Sequence, residues 1–121
     1  MAIILLVDDE HDILELLELI VEECGHQALS ARNGEVAMEL ARQYAPSLVL
    51  TDLMMPVMDG YELVAALQAD PALRATPTVV MTAGSITPER RITLEGVQSV
   101  ITKPFMIADI EALLGGLEKE A

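Results

Sequence analysis

Leu48-Val49-Leu50-Thr51-Asp52, running on into Leu53-Met54-Met55-Pro56-Val57-Met58-Asp59-Gly60, decides how the rest of the chain is read. A short apolar run without polar alternation is the pattern of a strand covered on both faces. Asp52 closes that run, and Pro56 and Gly60 mark the loop that follows it. Open α/β sheets place their chemistry at such carboxyl ends of strands. Three other stretches finish in the same way: Ile3-Ile4-Leu5-Leu6-Val7 delivers Asp8-Asp9, Val79-Val80-Met81 delivers Thr82, and Val100-Ile101-Thr102 delivers Lys103-Pro104. Four strand ends therefore offer carboxylates, a hydroxyl and an ammonium group of matching purpose.

Working outward, the intervening stretches carry helical spacing. Ile13, Leu16, Leu17, Ile20 and Val21 form one apolar stripe, ended by Gly25. A shorter strand over residues 27–31 follows, and Asn33 is placed to cap a helix that turns Val36, Ala37, Leu40 and Ala41 inward before Pro46. Beyond the central loop, residues 61–69 read as a helix with Leu63, Ala66 and Leu67 on its core side, and Asp70-Pro71 marks its exit. A strand over 78–81 comes next. Thr87-Pro88-Glu89 supplies a cap, a first-turn proline and an acid, so a short polar helix is expected from there to about Glu95. A last strand over 99–102 leads to a helix with the stripe Ile107, Ile110, Leu113, Leu114 and Leu117, weakened by Gly115-Gly116.

Length and composition bound what this pattern can be. The 121 residues suffice for one domain over 1–121 with an adequate core and no staples. The 52% hydrophobic content contains no apolar run approaching the ~18 residues of a membrane span. The formal net charge of −13, from 20 acidic and 7 basic residues, disfavours binding to nucleic acid or an anionic membrane and favours a cation as ligand. The single Cys24 and the absence of a signal-peptide pattern are read as a reducing, cytoplasmic setting.

Five strands alternating with five helices imply an α/β fold with one parallel sheet, right-handed crossovers and helices on both faces. For Asp8, Asp9 and Asp52 to converge, the first and third strands must be neighbours, as in the order 2-1-3-4-5.

Four motifs together resemble the receiver domain of two-component response regulators: Val-Asp-Asp-Glu at 7–10, Thr-Asp-Leu-Met-Met-Pro-Val-Met-Asp-Gly at 51–60, Met-Thr-Ala at 81–83 and Thr-Lys-Pro-Phe at 102–105. The likeness covers nearly the whole chain. It implies a flavodoxin-like, doubly wound (βα)5 fold and supports the same strand order. It also implies that Asp52 is the phosphoryl acceptor, that Thr82 senses the phosphoryl group and that Lys103 pairs with it. Mg²⁺ is implied on Asp8, Asp9, Asp52 and the backbone carbonyl of Met54, and a cis peptide between Lys103 and Pro104. The implied partners are a histidine kinase or histidine phosphotransfer protein and an unidentified downstream protein. Two features depart from the family pattern: Val100 stands where an aromatic residue is usual, and Gly84 lies two positions after Thr82 in a segment about one residue tighter than usual.

The chemistry supports these roles independently. Carboxylates a few ångströms apart repel by roughly 3–4 kcal/mol per close pair at an effective dielectric near 20, so the cluster needs a counter-charge. Lys103 and a divalent cation supply it, and Mg²⁺ suits a site with few protein ligands. Taken singly, the acidic pair reads more readily as a helix N-terminal cap than as a metal site, Thr82 as an ordinary strand-end residue and Lys103 as a solvated lysine. It is their company that gives them a function. His11 is read as an exposed histidine and His26 as a surface residue at a turn, while the Met-rich loop is read as packing. Asp59 is expected to cap the third helix, with Gly60 supplying a permissive backbone position. Three function classes follow: a phosphorylation switch, a phosphorylation-independent module of the same fold, and an aspartyl-nucleophile phosphatase. The intact set Asp8, Asp9, Asp52, Thr82 and Lys103 argues against the second. Met54 argues against the third, since such an enzyme would present an acid there.

Overall fold

The apolar runs become strands and the periodic segments become helices in a computed structural model that describes the backbone of residues 1–120 and the side chains of residues 1–116. In chain order the elements are β1 (Ile3–Val7), α1 (His11–Glu23), β2 (Gln27–Ala31), α2 (Gly34–Tyr44), β3 (Leu48–Asp52), α3 (Gly60–Ala69), β4 (Thr78–Thr82), α4 (Pro88–Ile92), β5 (Ser99–Thr102) and α5 (Ile107–Glu120). All pairings are parallel, in the order β2-β1-β3-β4-β5, so the expected doubly wound sheet is observed.

Period-two geometry sends alternate strand residues to opposite faces. Ile4, Leu6, Leu48, Leu50, Val79 and Met81 pack beneath α1 and α5. Leu5, Val7 and Val49 pack beneath α2 and α3, and Val80 joins Leu53, Val64 and Leu94 nearer α4. The three inner strands are buried throughout apart from the first residue of β1, which explains their uninterrupted apolar sequence.

Helix boundaries follow the caps. The Asn33 carboxamide accepts from the Val36 N–H, the Thr87 hydroxyl from the Arg90 N–H, and Asp59 forms a reciprocal capping box with Glu62. Gly25, with φ of +86°, turns the chain after α1.

Several expectations need correction. α4 ends at Ile92 rather than near Glu95, because the chain tightens into three-residue hydrogen bonds such as Leu94 N to Arg91 O at 3.1 Å. Leu16, Val36 and Ile107 lie exposed at the edges of their stripes, whereas Leu14, Met38 and Val64 are buried. The buried faces of α1 and α2 are thus rotated slightly from those expected, whereas Leu63, Ala66 and Leu67 of α3 and Ile110, Leu113 and Leu114 of α5 pack inward as expected. Leu117 falls outside the described side chains. His26 is no surface residue: it is 7% exposed, and its Nδ1 accepts the Ala2 N–H at 3.0 Å. A histidine there satisfies the backbone donor that enters β1.

Gly60 is required by close approach rather than by an unusual φ. A Cβ built on it would lie 2.2 Å from the Asp52 carbonyl oxygen and 2.7 Å from the Leu53 Cα. Gly60 N also donates to Leu53 O at 2.9 Å, so α3 begins pressed against the end of β3. Gly60→Ala is expected to lower unfolding free energy by about 2 kcal/mol or more, as overpacking against backbone does. Gly84→Ala, where an added Cβ meets nothing within 4 Å, should change it by less than about 0.5 kcal/mol. Denaturant titration of both variants checks the contrast.

Candidate functional site

Register brings the expected residues together. Val7 lies opposite Thr51, Asp52 opposite Met81, and Thr82 opposite Thr102, so the polar ends of β1, β3, β4 and β5 finish along one edge of the sheet. Backbone bonds carry the alignment past the strands: Asp8 N donates to Ala31 O at 3.1 Å, Leu53 N to Met81 O at 3.1 Å and Lys103 N to Thr82 O at 2.8 Å.

Asp8, Asp9 and Asp52 each offer a carboxylate oxygen within 4.8 Å of the others, a donor set able to hold a metal ion. Asp8 is fully buried, Asp52 is 7% exposed and Asp9 is half-buried. Lys103 Nζ is the counter-charge, 2.7 Å from Asp8 Oδ2 and 3.5 Å from Asp52 Oδ2. Its tighter partner is therefore Asp8, which reading the sequence did not reveal. The cis peptide Lys103–Pro104 is present. A cavity of about 360 Å³ opens over the cluster, lined among others by Asp9, Asp52, Met54, Tyr61, Thr82 and Lys103.

Local bonds orient the set. Asp52 Oδ1 accepts the Leu53 N–H at 2.9 Å, while the buried Thr51 hydroxyl donates to the Asp52 carbonyl at 2.8 Å. Asp8 Oδ1 accepts the Glu10 N–H at 3.0 Å. Thr82 lines the cavity, but its hydroxyl is engaged with Gly84, donating to the carbonyl at 3.1 Å and accepting from the N–H at 3.2 Å. The Met54 side chain points into solvent at the cavity rim. Tyr61 was not foreseen as a lining residue; its position directly after Gly60 was the available signal. His11 is exposed and pairs with Glu15 at 3.0 Å on its own helix.

Electrostatics at the cluster favour added positive charge. Burial pushes the Asp52 carboxyl above its ordinary value; Lys103 pulls it down, the Asp8 charge pushes it up, and the Leu53 N–H pulls it down. For Lys103, burial opposes the charge, but the hydrogen bond to Asp8 and the charges of Asp8, Asp52 and Glu10 outweigh it and hold the ammonium above its usual range.

Residues 4–115 match the response regulator receiver domain family. The chain belongs to that family. It is 33% identical to the protein PilH of Pseudomonas aeruginosa, over 96% of this chain and 100% of that one. It is 31% identical to the polar-differentiation response regulator DivK of Brucella anthropi, over 86% and 85%. It spans less of the probable transcriptional regulator ycf27 of Porphyridium aerugineum, 45% of which aligns at 36% identity. Among solved structures, the chemotaxis response regulator CheY4 of Vibrio cholerae superposes with a TM-score of 0.87 at 26% identity, over 97% of this chain and 98% of that one. Receiver domains are phospho-signalling modules of two-component systems rather than classical enzymes, and they bind Mg²⁺ at an acidic aspartate cluster. No described helix of this receiver domain is long and apolar enough to cross a membrane.

The direction of the Asp52 shift has a consequence for stability. A carboxyl held above its ordinary 3.8 binds its proton more tightly in the fold than in the unfolded chain. The resulting stabilisation is complete below about pH 3.8 and is lost as pH rises through the folded-state value. Ionised Asp52 is thus a liability to the metal-free fold at neutral pH. Asp52→Asn should raise the thermal midpoint by a few degrees at pH 7 without divalent cations, the gain shrinking as pH falls toward 4. Calorimetry across that range, in buffer containing a chelator, is the check.

Proposed function

We propose that residues 1–121 act as a phosphorylation-dependent switch in which Asp52 takes a phosphoryl group from the phosphohistidine of a sensor kinase or histidine phosphotransfer protein. The observation that carries this reading is the convergence of Asp8, Asp9 and Asp52 within 4.8 Å around a Lys103 ammonium at a cavity-lined sheet edge.

Phosphoryl transfer asks chiefly for positioning and charge neutralisation. An Asp52 carboxylate oxygen attacks phosphorus, the phosphorus–nitrogen bond breaks, and its electron pair returns to the donor imidazole. An acyl phosphate is left on Asp52. Lys103 exchanges part of its hold on Asp8 for a phosphoryl oxygen. The Thr82 hydroxyl, now turned onto Gly84, is the nearest group on β4 able to turn toward another.

An all-oxygen set with three carboxylates fits a hard divalent cation. Asp8, Asp9, Asp52 and the Met54 carbonyl would hold Mg²⁺, which when bound neutralises negative charge on the transferring group. Asp9 lines the cavity, whereas Asp8 is already neutralised by Lys103.

Met54 and Gly84 have no side-chain group to hold an attacking water, so the reading includes a phosphorylated state reset by back-transfer or by a separate phosphatase. Output is by contact with a downstream protein, in the cytoplasm, without direct binding of nucleic acid or membrane by this chain.

Acetyl phosphate with Mg²⁺ is expected to add one phosphoryl group to the protein, seen by intact mass, and Asp52→Asn to add none. Equal incorporation in the variant overturns the assignment. For the metal, Asp9→Ala should weaken Mg²⁺ binding by roughly ten-fold or more, about 1.4 kcal/mol, and by more than Asp8→Ala does. Calorimetric titration of the two variants decides the order.

A further inference from the structure

α4 is the least anchored helix of the fold. None of its residues, Pro88–Ile92, is buried. Core contacts come from its flanks: Leu94 lies in the cluster with Leu53, Val64 and Val80, and Ile86 packs against that cluster. Across to α3 there are two polar ties. Gln68 Nε2 donates to Glu95 O at 2.8 Å, and the Arg90 guanidinium carbon sits 4.4 Å from the centre of the Tyr61 ring. The second tie is a cation–π contact.

Its two ends are unusually well connected. Arg90 holds the short helix together: its N–H donates to the Thr87 hydroxyl at 3.3 Å, and its carbonyl accepts from the Thr93 hydroxyl at 2.6 Å and the Thr93 N–H at 3.0 Å. A displacement of the Arg90 backbone therefore moves the whole turn. At the other end, Tyr61 lines the same cavity as Asp52, Thr82 and Lys103. Its backbone is fixed by Gly60, which is pressed against the Asp52 carbonyl and bonded to Leu53. Charge added at Asp52 thus arises in a cavity lined by a ring that carries a guanidinium over one face. β5 offers no comparable route, since Val100 is half-exposed and has no aromatic face.

We propose that Arg90 and Tyr61 are a positioning pair that transmits the charge state of Asp52 to α4. The inference rests on the reading of Asp52 as phosphoryl acceptor. Negative charge added in the cavity attracts the guanidinium, and the Tyr61 face is the track along which it responds. α4 responds where that pull reaches the Arg90 backbone, whose N–H and carbonyl hydrogen-bond to Thr87 and Thr93 at the two ends of the helix.

Hydrogen exchange of residues 84–97, followed by mass spectrometry with Mg²⁺ alone and with Mg²⁺ plus beryllofluoride, tests the pair. In the wild type, beryllofluoride should alter exchange over α4. Arg90→Gln and Tyr61→Leu should each cut that difference by roughly half or more, while Tyr61→Phe, which keeps the ring face, should retain it. Arg90 is exposed, so Arg90→Gln keeps the test available should Tyr61→Leu fold poorly. Thermal shift on adding beryllofluoride separates the two levels of the argument. A shift retained in Arg90→Gln and Tyr61→Phe and lost in Asp52→Asn upholds the acceptor reading, and its absence in the wild type refutes that reading and this inference with it. With the shift intact, an undiminished α4 response in Arg90→Gln, or a response lost equally in Tyr61→Phe, overturns the coupling pair alone.

Discussion

Mutual repulsion among Asp8, Asp9 and Asp52 is the constraint around which this edge of the sheet is built. Three carboxylates within 4.8 Å form a costly arrangement in any fold, and two of them are withdrawn from water. Lys103 offsets part of the cost, but one ammonium divided between Asp8 at 2.7 Å and Asp52 at 3.5 Å leaves the cluster short of positive charge. Burial is what chiefly raises the Asp52 carboxyl, with the neighbouring Asp8 charge adding to it and Lys103 opposing it. A site left in deficit is poised for a ligand, because whatever brings positive charge recovers energy that the fold gives up to assemble it.

Holding the deficit in place requires a rigid frame. Parallel register aligns the strand ends, and backbone bonds from Asp8, Leu53 and Lys103 extend the alignment one residue beyond the ladders. The absent side chain of Gly60 lets α3 start against Asp52, and Thr51 ties down the carbonyl behind the carboxylate. Rigidity is not uniform, however. The loop after β4 and the short α4 bury little, so the frame is stiff under the carboxylates and loose beyond Thr82. A site of this kind can hold charge steady on one side while the other side answers to it.

The parts of this arrangement that could be read from the sequence are those with a one-dimensional signature. Buried parallel strands must be apolar on both faces, so β1, β3 and β4 announced themselves, and with them the residues at their ends. Caps at Asn33, Asp59 and Thr87 were visible because few residue types do that work. Helix phase was read less well. Leu14 and Leu16, or Val36 and Met38, are equally apolar, and only the neighbouring sheet chooses between them. His26 was misplaced for a similar reason: its partner, the Ala2 N–H, lies 24 residues away, a separation no local pattern reports. The preference of Lys103 for Asp8 over Asp52 is a matter of less than an ångström, set by the fold and invisible in the order of residues.

Charge spread over the whole molecule acts in the same direction as the site. A net charge of −13 on 121 residues surrounds the cavity with a negative field, and Lys103, with its side chain 12% exposed, projects little positive charge outward. Such a field opposes the approach of a free anion. It also raises the local concentration of cations at the cavity mouth. Long-range attraction and the all-oxygen donor set at short range therefore ask for the same kind of ligand, a small hard cation. The burial that, with the neighbouring Asp8 charge, makes Asp52 hard to ionise alone also makes a cation there effective, because one bound charge relieves several carboxylates at once.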